Sequence, residues 1–540
     1  MNPIILALKK ALIEVFLKLN VTLQENDIVI ETTKDRKFGD YASNVCLRYA
    51  KQLGKKPNEL AAYIQSNLVL DVVEKIDVAG PGFLNFTIKK AELSSLISTI
   101  FSSGKDYGKS TIGEGKTINI EFVSANPTGP MHVAHARGAA LGDAIATLLK
   151  HVGYTVTKEF YINDAGTQIQ NLGRSLYCRY MEHLGHAMTL PEDGYYGPDI
   201  IAIAQELVDT VGMQYENHYD EAFFKQYAME KELTRIREDL ASLGVVFDVY
   251  RSEKELRATS MIEDVLKRLQ AFVYEDQGAT YLKTKARGDD KDRVLIKSDG
   301  QMTYFLPDIA YHEDKLKRGS AQLIDVLGPD HHGYISRMKA ALMMLGYGED
   351  VLDVVVMQLV TLVQQGQEVK MSKRTGKGIT FKDLVEEVGK DAARYFILAR
   401  SYHQPMEFDL DLAKTMSNVN PLYYAQYAHA RLSTLLKNGA DIGMDEKAPR
   451  LEEPEEVDLL KHLASFPQVV LDAANEKEPS KITNYIQLLA SYTHSFYTNR
   501  RVIDRDQKEL SQSRLALVKA SQVVLANALR LCGITALESM

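Results

Sequence analysis

The sequence predicts an α/β protein, in which a parallel β-sheet is preceded by a small α+β module and followed by an all-α bundle. Three observations predict this fold. A buried strand, a long amphipathic helix and a second strand follow one another between residues 117 and 162. The first hundred or so residues mix one helix with short strands, and no strand pattern occurs after about residue 415. A chain of 540 residues fits three or four domains of roughly 100 to 200 residues each. We place the domains at 1–112, 113–415 and 416–540.

Composition and charge exclude several classes of protein. The chain is 45% hydrophobic and 25% charged, which is typical of a globular protein and not of a disordered one. Its net charge of −8 excludes a protein that is positively charged overall, so any RNA partner must bind to a local group of basic residues. The three cysteines, Cys46, Cys178 and Cys532, lie far apart, which excludes a disulfide framework and a thiolate zinc site. Charged residues interrupt the N-terminal segment and every long apolar window. We therefore expect a cytoplasmic protein without a signal peptide or a membrane span.

The first 112 residues predict a helix followed by short strands. Apolar residues recur near a period of 3.6 at the N-terminus, which indicates an amphipathic helix. They are Ile4, Ile5, Leu8, Leu12, Phe16 and Leu19. The runs DIVIET and GFLNFTI predict strands. The stretch 101–116 is rich in glycine and lysine, which is typical of a connection between domains.

A βαβ unit begins at TINIEFVSAN. The next helix repeats apolar residues at helical spacing and is closed by Gly153. This unit predicts a parallel sheet of the Rossmann-like, nucleotide-binding kind. Residues of about 170–290 are mixed and polar, and we interpret them as an insertion. YFLPDIAYH, LIDVLGPDHHG and VVVMQLVTLV predict that the strands of the sheet then resume.

Four helical segments predict the C-terminal bundle. Residues 421–540 are nearly neutral, but 481–530 carry eight basic and three acidic residues. Aromatic and basic residues alternate there, as base stacking and phosphate contacts on an RNA require. These residues are Tyr492, Phe496, Tyr497, Arg500, Arg501 and Arg505. The alternative is a helix with core aromatics, Phe496 above all, and a solvated arginine face.

Two histidines mark the first candidate site. His132 and His135 lie three residues apart at a predicted helix start, so their rings project from one face of the first turn. Helix N-terminal N–H groups attract phosphate, and two imidazoles there can hydrogen-bond a triphosphate. A zinc site or a structural histidine pair is the alternative, although no HExxH motif or nearby cysteine supplies further ligands.

A cationic loop marks the second candidate site. Residues 370–376 read KMSKRTG and follow an apolar run and a turn. Two lysines three residues apart, with serine and glycine nearby, suit a loop that contacts phosphates as charge shifts onto a leaving group. A solvated surface loop is the alternative for such a run taken alone.

The pair HVAH and KMSK, about 235 residues apart, resembles the HIGH and KMSKS signatures of class I aminoacyl-tRNA synthetases. Further segments narrow the resemblance to the bacterial type of the arginyl-tRNA synthetase family, and they extend over nearly the whole chain. They are FGDYASN (38–44), AGPGFLNF (79–86), EFVSANPTGPMHVAHARGA (121–139), YINDAG (161–166), GPDHHGY (328–334) and NPLYYAQYAHARL (420–432).

The resemblance implies a role for each matching position. It places His132, His135, Lys370 and Lys373 on ATP and its transition state as the catalytic residues. Further ATP contacts would come from Gly129, Gly328, Asp330, Met371 and Ser372. Arginine would be bound by Glu121, Asn126, Tyr304 and Asp308. A guanidinium selects a carboxylate with an aromatic or hydroxyl neighbour, which Tyr304 and Asp308 offer. A surface tyrosine and a turn-forming aspartate are the alternative for that pair.

The tRNA contacts are expected on the bundle, which the resemblance identifies as an anticodon-binding domain. They would involve Tyr492, Arg500, Arg501 and Arg505. The N-terminal module is expected to touch the outer body of the tRNA. If residues 421–540 bind the anticodon stem while residues 1–112 touch the outer body of the tRNA, removal of the bundle should leave a folded core.

Two positions depart from the family signatures. Ala134 stands where HIGH has glycine, and its Cβ would crowd a nucleotide that lies against the backbone. Arg374 replaces the final serine of KMSKS, which keeps both lysines but removes a hydroxyl.

The resemblance implies an arginine–tRNA ligase that forms arginyl-adenylate and then charges tRNA(Arg). Its partners would be ATP, L-arginine and tRNA(Arg), with no DNA and no membrane, and the chain would act as a monomer. Mg²⁺ would arrive with ATP, since no carboxylate cage for a protein-held metal is visible. Another nucleotidyl-transferring enzyme of the same fold and a catalytically silent tRNA-binding paralogue are the rival interpretations.

Overall fold

The fold was analysed in a computed structural model, which describes residues 3–33, 36–369 and 379–540. The N-terminal module forms an antiparallel sheet in the order β1-β2-β4-β3. The helix predicted at the N-terminus is present and buries its apolar face, whereas the strand predicted in DIVIET is reduced to two residues. Its elements are α1 (Pro3–Lys18), β1 (Glu31–Thr32), β2 (Tyr41–Ser43), α2 (Val45–Tyr49), α3 (Pro57–Asn67), β3 (Val73–Ala79), β4 (Phe83–Ile88) and α4 (Lys90–Ser103).

The next part of the chain contains the predicted βαβ unit. Two parallel strands are joined by one long helix, and the insertion follows with a helical group and a small antiparallel sheet. The elements are β5 (Thr117–Glu121), α5 (Val133–His151), β6 (Thr155–Ile162), α6 (Thr167–His183), α7 (Pro198–Val211), α8 (Glu221–Ser242), β7 (Val249–Ser252), α9 (Glu253–Arg257), α10 (Met261–Arg268), β8 (Val273–Asp276), β9 (Ala279–Leu282) and β10 (Arg293–Ile296).

The remaining elements complete the central sheet, form a separate three-stranded sheet that takes the second half of VVVMQLVTLV, and form the bundle. They are α11 (Phe305–Lys317), β11 (Gln322–Leu327), α12 (His332–Met344), β12 (Leu352–Val356), β13 (Val360–Gln364), β14 (Gln367–Glu368), α13 (Phe381–Val388), α14 (Lys390–Leu398), β15 (Met406–Asp409), α15 (Leu410–Lys414), α16 (Pro421–Asn438), α17 (Pro454–Asn475), α18 (Ser480–Asn499) and α19 (Lys508–Leu531).

The central sheet has five parallel strands in the order β12-β11-β5-β6-β7. The predicted α/β fold with a parallel sheet, an α+β module and a helical bundle is therefore confirmed. Helix α5 lies close against the sheet because residue 142 is glycine: a Cβ there would meet the ring of Phe122 at 2.2 Å. In such a sheet, ligands bind beyond the carboxyl ends of the strands, which places the site at the ends of β5 and β11.

Two expectations for the middle of the chain need correction. YFLPDIAYH was expected to be a strand, but it begins helix α11. Pro307 lies in the first helical turn, where its missing N–H breaks no helical hydrogen bond. The insertion is also not continuous, because β7 lies within 170–290 and pairs with β6 of the central sheet. Four residues are too few for a strand pattern to be recognised.

The bundle shares its core with the rest of the molecule. One continuous apolar cluster contains Leu8 of α1, Ala144 of α5 and Leu525 of α19. Buried Arg394 of α14 donates to the Cys532 carbonyl at 2.7 Å and to Asp143 of α5 at 2.7 Å. Removing the bundle would expose this shared apolar surface to water, which argues against the expectation that a folded core remains.

Candidate active site

A cleft of about 470 Å³ opens at the carboxyl edge of the central sheet. Its walls come from the ends of β5 and β11, the start of α5 and the start of α11. It brings together side chains that are up to about 200 residues apart in the sequence. Among the residues that line it are Glu121, His132, Ala134, His135, Tyr304, Asp308, Gly328 and Tyr334.

The two histidines stack on each other at the start of α5. Their ring centroids are 3.9 Å apart, and the Nδ1 atom of His135 accepts the backbone N–H of His132 at 3.1 Å. Burial, and then the neighbouring His132, lower the pKa of His135 to about 4. His135 is therefore neutral at pH 7. Since its Nδ1 is an acceptor, its proton lies on Nε2, which can donate to a phosphate oxygen.

The cationic loop of residues 370–376 lies outside the described residues, and so do Lys370, Met371, Ser372 and Lys373. The chain resumes beside the histidines. Thr380 forms an antiparallel bridge with His132, and the Phe381 N–H donates to the Met131 carbonyl at 2.9 Å. The segment that follows the loop is thus hydrogen-bonded to the HVAH segment.

Glu121 is held in place at the end of β5. The backbone turns sharply just after it, with φ of +67° at Val123 and +38° at Ser124, values that non-glycine residues rarely adopt. This turn returns the Ser124 hydroxyl to Glu121, to which it donates at 2.7 Å. The other carboxylate oxygen accepts from Lys315 Nζ at 2.5 Å. The cationic partner expected of a buried carboxylate is therefore a lysine of the chain itself.

Asp308 and Tyr304 stand on the first turn of α11 and line the cleft. The Asp308 side chain is 33% exposed, and its carboxylate is hydrogen-bonded to Tyr334. Burial raises the pKa of Asp308 to about 6, with Glu121 and Asp325 acting in the same direction and His312 against them. A cation bound in the cleft would remove this repulsion. Tyr304 is 83% exposed, so its ring is available to a ligand.

The remaining predicted substrate residues lie on the loops that follow β5 and β11. Asn126 donates to Gln168 at 2.9 Å on the surface of the loop after β5. Gly328 lines the cleft just beyond β11, whereas Asp330 is exposed in the following turn. Ala134 also lines the cleft, so its Cβ faces the space in which a nucleotide would lie.

The residues predicted to contact tRNA differ in their surroundings. Arg500 pairs with Glu453 and Glu455, both at 2.8 Å. Arg501 is 76% exposed, with its nearest carboxylate 3.8 Å away. Other members of the set are paired or packed: Arg505 pairs with Asp441, Tyr492 lies 5.1 Å from the His462 ring, and Phe496 is fully buried. For Phe496 the core alternative is therefore correct.

Sequence reasoning missed His312 and Lys315, which lie directly beneath the cleft. Together with Asp308 they are spaced i, i+4 and i+7, so they share one face of α11. That spacing would have been recognisable if the segment had been interpreted as a helix. Asp325 was also missed, although an acidic residue inside the apolar strand LIDVL was a signal.

The described part of the chain lacks two kinds of structural feature. Residues 3–33, 36–369 and 379–540 contain no group of three or more histidine, cysteine or acidic side chains placed to hold a metal ion. Within the same ranges, none of the helices has the length and apolarity that crossing a bilayer requires.

Three known domain families match most of the chain. Residues 3–88 match the arginyl tRNA synthetase N terminal domain, and residues 96–434 match the catalytic domain of tRNA synthetases class I (R). Residues 425–540 match the DALR anticodon binding domain. The chain belongs to the arginyl-tRNA synthetase family. The boundaries predicted near residues 112 and 415 stay predictions.

Relatives and solved structures agree with the arginyl-tRNA synthetase assignment. An arginine–tRNA ligase of Bacillus velezensis is 48% identical over 95% of this chain and 94% of its own length. The Bacillus subtilis arginine–tRNA ligase is also 48% identical, with the same coverage. A putative arginyl-tRNA synthetase structure from Campylobacter jejuni has a TM-score of 0.78 at 33% identity, covering 84% of this chain and 100% of its own. The Thermus thermophilus enzyme has a TM-score of 0.76 at 21% identity, with 99% of both chains covered, which shows the same fold.

Proposed function

We propose that this arginine–tRNA ligase carries out both of its steps in the cleft at the ends of β5 and β11. The observation that carries the proposal is the arrangement of two chemically different walls around one space. Asp308, Tyr304 and Glu121 offer carboxylates and an aromatic ring to a guanidinium. The stacked His132 and His135, at the N-terminus of α5, offer donors to phosphates.

In the first step, a carboxylate oxygen of arginine attacks the α-phosphorus of ATP. The bond from that phosphorus to the bridging oxygen breaks, and pyrophosphate leaves with the electron pair. No side chain acts as a nucleophile, so catalysis consists of positioning and of stabilising the negative charge on the displaced phosphates. We assign this stabilisation to His135 Nε2–H and the first N–H groups of α5, with Lys370 and Lys373 supplying positive charge.

Magnesium enters this step as part of the substrate, Mg-ATP. Asp330 and Gly328 are proposed at the ATP ribose, and Gly129 at the phosphates. Asn126 is proposed on the amino acid. In the second step, the 3′-terminal ribose hydroxyl of tRNA(Arg) attacks the carbonyl carbon of the adenylate and loses its proton, and AMP leaves.

The C-terminal bundle is proposed to bind the anticodon arm. Exposed Arg501 is the best placed of the predicted phosphate contacts, because Arg500 and Arg505 are already paired with carboxylates. Action as a monomer in the cytoplasm is part of this proposal.

An ATP–pyrophosphate exchange assay with each amino acid, with and without tRNA(Arg), tests the assignment of substrate. We expect exchange with arginine alone among the amino acids. The two arms also reveal whether activation requires the bound tRNA. Equal exchange with a different amino acid would overturn the proposed use of Asp308 and Glu121, and binding of tRNA without any exchange would identify the silent paralogue.

A further inference from the structure

The imidazole of His312 is hydrogen-bonded on both sides by oxygen acceptors. Its Nδ1 lies 2.8 Å from the Asp308 backbone carbonyl, and its Nε2 lies 2.8 Å from Asp325 Oδ2. A carbonyl oxygen can only accept, and the Asp325 carboxylate is ionised because Lys315, which donates to its other oxygen at 3.2 Å, holds its pKa well below the usual range despite burial. Both ring nitrogens must therefore donate. His312 is a buried imidazolium, with a side chain only 1% exposed.

Lys315, one turn further along α11, is a second buried cation. Its Nζ donates to Glu121 at 2.5 Å and to Asp325 at 3.2 Å, and it lies 4.4 Å from the centre of the Tyr311 ring. Glu121 and Asp325 are direct neighbours on the parallel strands β5 and β11. Two carboxylates side by side repel each other, and Lys315 lies where it neutralises both.

The five groups form a cluster with an unequal charge. Glu121, Asp308 and Asp325 contribute three negative charges, and His312 and Lys315 contribute two positive charges. Acidic side chains next to the cluster have basic partners of their own: Glu253 pairs with Arg257 at 2.6 Å, and Glu159 pairs with Arg318 at 2.7 Å. Tyr334 adds a hydroxyl at 3.4 Å from His312 and no charge. One negative charge is left, and Asp308 directs it into the cleft.

We propose that His312 and Lys315 are positioning residues that set the arginine subsite to a net charge of −1, which one guanidinium neutralises. This inference deepens the proposed function and rests on Asp308 facing the substrate. Without either cation, the carboxylates would repel each other enough for one of them to take up a proton at neutral pH. A protonated carboxyl would then present a hydrogen-bond donor to a guanidinium, which has only donors itself.

The test compares arginine binding in wild type, His312→Gln, Lys315→Met and the matched control Lys317→Met. Lys317 lies on the same helix and pairs with Glu313 outside the cluster, at 3.2 Å. Binding of L-arginine and of its neutral analogue L-citrulline is measured by calorimetry from about pH 5 to about pH 9. In His312→Gln and Lys315→Met, the pH below which arginine binding is lost should move upward by about 1 to 3 units. The preference for arginine over citrulline at pH 7 should shrink. The control should follow wild type in both respects.

Loss of a buried cation also threatens folding, so a second measurement uses the intact enzyme. Histidine is labelled with ¹⁵N, and the His312 ring signals are identified by their absence from the His312→Gln spectrum. We expect both ring nitrogens to remain protonated to a higher pH than in an ordinary histidine, which loses a proton near pH 6.5. A neutral His312 ring at about pH 7 would overturn the proposal, whatever the behaviour of the variants.

The outcomes separate this inference from the proposed function. If Asp308→Asn binds arginine as tightly as wild type, the proposed subsite itself is wrong. In another outcome, Asp308→Asn loses arginine binding while His312→Gln and Lys315→Met retain the wild-type pH profile and the wild-type preference for arginine over citrulline. That result would support the subsite and overturn the role of the two cations.

Discussion

Two regions of the molecule contain unequal numbers of acidic and basic residues: the arginine cleft and the basic stretch of the bundle, residues 481–530. The pairing of these charges in the folded protein differs between the two. In the cleft, three carboxylates meet two buried cations, and the imbalance survives. In the bundle, acidic side chains from outside the stretch neutralise much of the excess. Arg500 pairs with Glu453 and Glu455, Arg505 with Asp441, and Arg514 with Glu456.

This difference shows where an unbalanced charge can be kept for a ligand. In a buried site of low dielectric, a leftover charge interacts strongly and at short range with one small cation. On a surface, salt screens each charge over about 10 Å, so recognition of a polyanion needs several exposed cations.

The largest effect is expected from Asp308→Asn, which removes the charge that faces the guanidinium. Arginine binding should weaken by about 2 to 5 kcal/mol, while the KM for ATP changes little. Steady-state exchange kinetics measure both values. Asp330→Asn is the matched control from the same edge of the sheet, and it should weaken ATP and spare arginine. Arginine affinity that survives in Asp308→Asn would move the guanidinium contact to Glu121.

His135→Ala should act on turnover more than on binding. The Nε2–H donor meets negative charge that grows in the transition state, so kcat should fall by about 10² to 10³-fold. The KM for ATP should change less. Single-turnover formation of the adenylate separates the two effects. A change in KM alone would mean that His135 binds ATP in the ground state and gives the transition state no additional stabilisation.

The pH dependence of arginine binding sharpens the contrast between the buried and the exposed charges. The pKa of Asp308 is raised to about 6, and only its ionised form attracts a guanidinium. Affinity should be complete well above pH 6 and fall about tenfold per unit below it. Calorimetric titrations from pH 7 downward measure this loss. In Asp308→Asn the same pH profile should be flat, and an equally steep profile there would assign the titration to another group.

The smallest effect is expected from single arginines of the bundle. Arg501→Glu should weaken tRNA(Arg) binding and make its salt dependence less steep by about one unit, because one phosphate contact is lost. Arg500→Glu should lower thermal stability instead, since its new carboxylate faces Glu453 and Glu455. Filter binding across a salt series and thermal melts distinguish the two variants. Equal slopes in Arg501→Glu and wild type would remove Arg501 from the RNA-binding surface.

Sequence patterns a few residues long predicted the helices and strands whose formation depends on residues close in the sequence. The βαβ unit, the helix that begins beside His132 and the four helices of the bundle were all recognisable from apolar periodicity. The pattern failed at YFLPDIAYH, which was predicted to be a strand but begins helix α11. That single error concealed His312 and Lys315, because their common face with Asp308 exists only in a helix.

The sequence by itself determined the family, the parallel sheet and the residue types at the site, because these depend on motifs and on patterns a few residues long. Only the tertiary structure decided which charges meet. Glu121, Asp325 and Lys315 lie on β5, β11 and α11, and their contact depends on strand order and register. The tertiary structure also decided that Arg500 is paired with two glutamates and that the bundle shares one apolar core with the catalytic part of the chain. Long-range pairing of charges and apolar faces leaves no local pattern, so the sequence could not reveal it.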